Sequence, residues 1–153
     1  MNLKIVHIES ILREVCDDIV ALFEANSQVF TVTLPQKLPQ VFTDSSKAEE
    51  VMRILLGNAI KRTPSGGEVT LSARADGKEV VIEVADEGRG FSPDEIQRLV
   101  GHLRPAEVEY QAFPELALSL ALCHRLVELL GGRFWLNSKD GKGATFGFSL
   151  PVR

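Results

Sequence analysis

The chain has 153 residues, enough for one domain that needs no disulfide or metal staple, and its balance of 44% hydrophobic to 25% charged residues is that of an ordinary soluble fold. A formal net charge of -4 provides no basic stripe for a nucleic acid. No apolar run reaches the ~18 residues of a membrane helix and no secretory leader pattern is present, so a cytoplasmic setting without direct membrane contact is expected, any anchor lying elsewhere in a longer parent.

Ile11, Leu12, Val15, Ile19, Leu22 and Phe23 recur at helical spacing and predict a first helix from Ile8 to about Asn26. Val29 to Leu34 alternates with period two, a strand, and Pro35 and Pro39 confine the next link to a loop. Gln40 to Thr43 is a short second strand. Asp44 or Ser45 then caps a helix running to Arg62, whose apolar stripe is Ala48, Val51, Met52, Leu55 and Ala59. Pro64, Gly66 and Gly67 stop it. Val69 to Arg74 and Val80 to Val84 form a hairpin around Gly77, and Ser92-Pro93-Asp94-Glu95 opens another helix. Residues 101–113 show no period and are expected to be a surface loop. Pro114 to Leu130 is an apolar helix ended by Gly131 and Gly132, and Phe134 to Asn137 pairs with Thr145 to Leu150 in a closing hairpin.

About six strands and three or four helices result. Because most strands alternate, one sheet face is wet and the helices cover the other, which predicts an α/β two-layer sandwich with a mixed, mostly antiparallel sheet. The cysteines, Cys16 and Cys123, lie far apart in helical patterns and fit buried free thiols in a reducing compartment.

Two stretches carry chemistry. Asn58 falls at the edge of the helical stripe, where a carboxamide oxygen can ligate a hard cation, and Lys61, one turn on, can meet a phosphate. Downstream, the strand from Val80 ends in Asp86-Glu87-Gly88-Arg89-Gly90. Taken singly, the first is a boundary amide beside a solvated lysine and the second a turn after a strand.

In this order on one chain they resemble the ATP-binding catalytic domain of bacterial sensor histidine kinases, of the superfamily that includes gyrase, the heat-shock chaperone and mismatch-repair ATPases. The resemblance covers nearly the whole chain, residues 1–153 as one domain with the phosphoacceptor and dimerisation domain absent, and implies the same sandwich, of the Bergerat type. It implies ATP and Mg2+ as cofactors, with Asn58 holding the magnesium and Lys61 near the phosphates. Asp86 would accept from the adenine amino group, Gly88 and Gly90 would let the backbone approach base and ribose, and Thr145 would support Asp86. The implied partner is a phosphoacceptor histidine domain, in the same parent or in trans, and indirectly a response regulator. His7, His102 and His124 are the histidines present, and none sits in a His-Glu-x-x-x-Pro setting.

The chain departs from the family at several places. Ile54 stands where the hydrolysing members carry a glutamate base, which disfavours hydrolysis and a serine kinase of the anti-sigma-factor type. Glu115, Ala117 and Ser119 replace the glycines of a second phosphate-wrapping box, and a carboxylate there repels a polyanion. Arg62 stands where the family usually has an aromatic or histidine. His124 lies where a basic residue is common, and the aromatic motif of the lid is not evident between Ile96 and Phe113. Weak ATP binding is expected, the alternative being a non-catalytic docking or nucleotide-sensing module of the same fold.

Overall fold

The computed structural model describes residues 1–100, 114–138 and 141–153. In chain order these form β1 (Lys4–Val6), α1 (Ile8–Ala25), β2 (Val29–Thr33), β3 (Val41–Thr43), α2 (Ser45–Arg62), β4 (Glu68–Asp76), β5 (Glu79–Asp86), α3 (Pro93–Val100), α4 (Pro114–Leu129), β6 (Phe134–Ser138) and β7 (Ala144–Pro151). The loop expected over 101–113 lies outside the described residues.

Five strands make one sheet in the order β2-β4-β5-β7-β6, mixed but mostly antiparallel, with β2 and β4 parallel. The sandwich follows from the period-two pattern. Val80, Ile82 and Val84 of β5 and Phe146, Phe148 and Leu150 of β7 all point to the helix layer and are buried with Leu12, Val15, Met52, Leu55, Leu120 and Val127. The other face is polar and wet, with Arg74 paired to Glu83 and Arg133 paired to Glu79. β1, which the sequence reading did not separate, pairs with β3 as a two-stranded ribbon. Three mostly exposed residues are too short a run for alternation to show.

Helix α2 is held at both ends. Asp44 is its N-cap: Oδ1 accepts from Lys47 N at 3.2 Å and Oδ2 from Asn2 N at 2.8 Å. These backbone donors, Asn2 foremost, hold the Asp44 carboxyl below its ordinary range. At the other end Gln28, itself buried, donates from Nε2 to Ile60 O at 2.9 Å and to Thr63 O at 2.7 Å. Those carbonyls belong to the last turn and the residue beyond it, where no amide of the helix follows to satisfy them. Gln28→Ala should therefore lower the free energy of unfolding by about 1–3 kcal/mol, the cost of stranding buried acceptors. Urea denaturation checks this, and a midpoint equal to that of the native chain would show that the clamp contributes nothing.

Candidate functional site

Asp86 ends β5, the central strand, on the same face as Val80, Ile82 and Val84, so its carboxylate points under the helix layer and its side chain is 0% exposed. Oδ1 accepts from Gly88 N at 2.9 Å. Oδ2 has no hydrogen-bond partner among the described residues. Burial pushes the Asp86 carboxyl above its usual range, against the smaller opposing pulls of the Gly88 amide, the Arg62 guanidinium and the Ala144 amide.

The turn after Asp86 is pressed against the end of α2. A Cβ on Gly88 would lie 2.8 Å from Arg62 O and 3.0 Å from Asp86 Oδ1, which no side chain tolerates. Gly143, at the start of β7, is a glycine that the motif did not single out: its φ is +82° and a Cβ there would collide with Asp86 O. Ser138 joins the two segments. Its Oγ accepts from Phe91 N at 2.7 Å and donates to Gly143 O at 2.7 Å, so the glycine turn and the closing hairpin share one hydroxyl.

Asn58 stands one turn before Arg62 on α2, half-buried, and Arg62 in turn reaches Asp86. Asn58 Nδ2 donates to Ser119 Oγ at 2.9 Å, and Ser119 Oγ donates to Leu116 O at 3.0 Å. A serine hydroxyl has one proton, and Leu116 O takes it, so the contact to Asn58 is made to the amide nitrogen. The carboxamide is thereby oriented, and Oδ1 is left for another partner. Lys61 is exposed beside it, and Ile54, one turn earlier, is half-buried.

The positions expected to damage the phosphate side are now placed. Glu115 is exposed in the first turn of α4, Ala117 is buried in the core, and Ser119 is the partner of Asn58. His124 is remote from these groups in role, its Nε2 lying 3.1 Å from Glu128 Oε1.

Thr145 needs correction. It pairs across the sheet with Ala85 and Asn137, while the residue opposite Asp86 is Ala144. Cross-strand partners share a face, so Thr145 points to the side of the sheet away from the Asp86 carboxylate and does not support it. Arg62, given no role from sequence, lies with Cζ 3.9 Å from the centre of the Phe91 ring and Nε 3.9 Å from Asp86 Oδ2. Among the described residues no three His, Cys, Asp or Glu side chains gather as a metal site.

A sandwich with a buried carboxylate ending its central strand and an oriented amide on the flanking helix is the ATP-binding fold of the superfamily introduced above. Residues 43–153 match the model of the histidine kinase-, DNA gyrase B- and HSP90-like ATPases, and the chain belongs to that family. It is 34% identical over 146 residues to the adaptive-response sensory kinase SasA of Thermosynechococcus vestitus, covering 92% of this chain and 38% of that protein. SasA of Synechococcus elongatus is 30% identical over 154 residues, covering 99% of this chain and 39% of the relative. The chain therefore spans about two fifths of the length of these curated relatives.

Among solved structures, full-length ShkA in complex with AMPPNP superposes with a TM-score of 0.82 at 28% identity, covering 100% of this chain and 32% of ShkA. The nucleotide-free catalytic domain of the histidine kinase ThkA gives a TM-score of 0.83 at 18% identity, over 99% of this chain and 97% of that one, a likeness of fold. The chain is an ATPase domain of the histidine-kinase type. No helix among the described residues is long and apolar enough to cross a membrane.

Proposed function

We propose that residues 1–153 form the ATP-binding, phosphoryl-donating domain of a two-component sensor kinase, which passes the γ-phosphoryl of magnesium-bound ATP to a histidine on a separate dimerisation domain. The observation that carries this reading is the fully buried Asp86 carboxylate with one oxygen unclaimed by any hydrogen bond among the described residues. A buried acceptor without a donor is costly in a native fold, and a ligand's amino group removes that cost. The adenine amino group meets the requirement, whereas guanine presents a carbonyl at that place. Gly88 has no room for a Cβ against Arg62 O and Asp86 Oδ1, and in this reading its backbone is what the base approaches.

At the other end the residues fit a magnesium ion that is bound mainly by phosphates and water. Such an ion needs few protein ligands, and the Asn58 Oδ1 left free by the Ser119 contact is a suitable oxygen. When bound, the ion supplies charge neutralisation at the β- and γ-phosphates. Lys61, exposed on the same flank of α2, adds a mobile positive charge. Ile54 provides no base, and none is needed: the imidazole nitrogen of the partner histidine is itself the nucleophile. A P–N bond forms as the bond from the γ-phosphorus to the β–γ bridging oxygen breaks, and ADP leaves. The AMPPNP complex of ShkA supports nucleotide binding by this fold. A response regulator is the expected later acceptor, and a cytoplasmic location goes with both partners.

The test combines the chain, γ-labelled ATP, magnesium and a histidine-bearing dimerisation segment, from the same parent protein or supplied in trans. Acid-labile, base-stable label on that segment is the expected outcome. Tight ATP binding with no transfer would instead assign the chain to the nucleotide-sensing modules, a reading that the exposed carboxylate of Glu115 at the start of α4 favours.

A further inference from the structure

The Arg62 side chain is 13% exposed, and its guanidinium lies over Phe91 with Cζ 3.9 Å from the ring centre. Its Nε is 3.9 Å from Asp86 Oδ2, close enough for charge attraction and too far for a hydrogen bond. Nε and Nη2 of Arg62 and Oδ2 of Asp86 are buried, and none has a hydrogen-bond partner among the described residues. A planar cation thus faces the one free oxygen of the carboxylate to which the reading above assigns the adenine amino group. Burial lowers the guanidinium's pKa, with Asp86 the largest opposing charge, Arg89 adding to the shift and Glu95 countering it, as expected for a cation kept in a poorly solvated place chiefly by one carboxylate.

We propose that Arg62 sets the nucleotide affinity of this site: in the nucleotide-free chain its guanidinium stands in for the base amino group against Asp86, and adenine binds only as Arg62 is displaced.

The inference rests on the adenine-binding reading of Asp86 and goes beyond it in naming the residue that competes. The competition is between two N–H donors for one carboxylate oxygen. Arg62 holds that oxygen by charge at a distance that forgoes the hydrogen bond, whereas an amino group that reached it would make the bond. Arg62 lies in the last turn of α2, and displacement requires a change of rotamer that carries the head group off Asp86 while the stem stays on the helix. The energetic form is a binding-competent state that is only partly populated. If the paired state outweighs the open one about ten to one, the apparent dissociation constant is raised about tenfold over that of an unobstructed pocket. Arg62, and not only the phosphate side, then contributes to the weak nucleotide binding expected from the sequence.

The test is a titration of a fluorescent ATP analogue, in the whole chain with magnesium, against the native protein, Arg62→Met, Arg62→Gln and Asp86→Ala. Methionine keeps an apolar stem against Phe91 and glutamine a polar one, and neither can pair with Asp86 by charge. Both variants should bind about tenfold tighter than the native chain, and Asp86→Ala should bind weakest. Native binding that depends on Asp86 but is unchanged or weaker in both Arg62 variants overturns the competition alone, leaving the adenine site standing. Binding that is indifferent to Asp86→Ala, or no binding by any of the four proteins at millimolar nucleotide, overturns the adenine reading and the competition with it.

Discussion

Asp86→Ala should weaken ATP binding by roughly 10- to 100-fold, the range of one charge-assisted hydrogen bond made in a buried site. The carboxylate is 0% exposed and its Oδ2 is unclaimed, so the mutation removes the acceptor itself and no neighbour can replace it. It also leaves the Arg62 guanidinium buried without its nearest counter-charge, so the chain should unfold at lower denaturant concentration. Isothermal titration of ATP, well below the unfolding midpoint, separates the two effects. Asp86→Asn should fall between, since it keeps an oxygen acceptor and loses the charge.

Acid gives the same group a second test. Burial raises the Asp86 pKa in the fold, so this residue favours the native state below its unfolded pKa, and that contribution is lost as pH rises through the folded value. Binding of adenine runs the other way, because it needs the carboxylate. ATP affinity should therefore fall on acidification at a pH above the ordinary carboxylate range, while Asp86→Asn shows no such step.

Asn58→Ala is expected to leave adenosine binding nearly unchanged while lowering phosphoryl transfer by about 10²–10³-fold, the scale seen when a preorganised electrostatic contact is removed. Asn58 is half-buried, and its main contact, to Ser119 Oγ at 2.9 Å, orients the amide. Loss of the side chain costs little packing and removes the protein's oxygen from the metal. Ser119→Ala should do the same to a lesser degree, because Oδ1 remains but the amide is free to rotate. The readouts are transfer rate and the magnesium concentration for half-maximal rate: both variants should need more magnesium. A fall in ATP affinity equal with and without magnesium would place Asn58 at the base instead of the ion.

Much of this was legible in the sequence. The stripe from Ala48 to Ala59 marks α2, and the alternation of β5 ending in Asp86-x-Gly-x-Gly places a carboxylate at the end of a central strand. Those signals are local, with periods of a few residues. What local patterns do not contain is register between distant strands. Thr145 and Ala144 are equally plausible neighbours of Asp86 until β7 is aligned with β5, and a slip of one residue reverses every face. The parallel pairing of β2 with β4 escaped for the same reason.

Arg62 and Ser119 show a second limit. Each departs from the family pattern and was legible as a departure, yet its use depends on what it touches. Ser119, one of the replacements in the glycine box, turns out to hold the amide of Asn58. Arg62 touches Phe91 and Asp86, residues separated from it by the whole β4–β5 hairpin.

The most direct measurement is the pattern of amide chemical-shift changes when magnesium and ATP are added to the isotope-labelled chain. The account predicts shifts concentrated at the Asn58 side-chain amide, at Gly88 and Gly90, and at the Arg62 guanidinium, with β1 and the polar sheet face silent. Shifts centred elsewhere, or at Gly88 and Gly90 without Asn58 once magnesium is present, would contradict it.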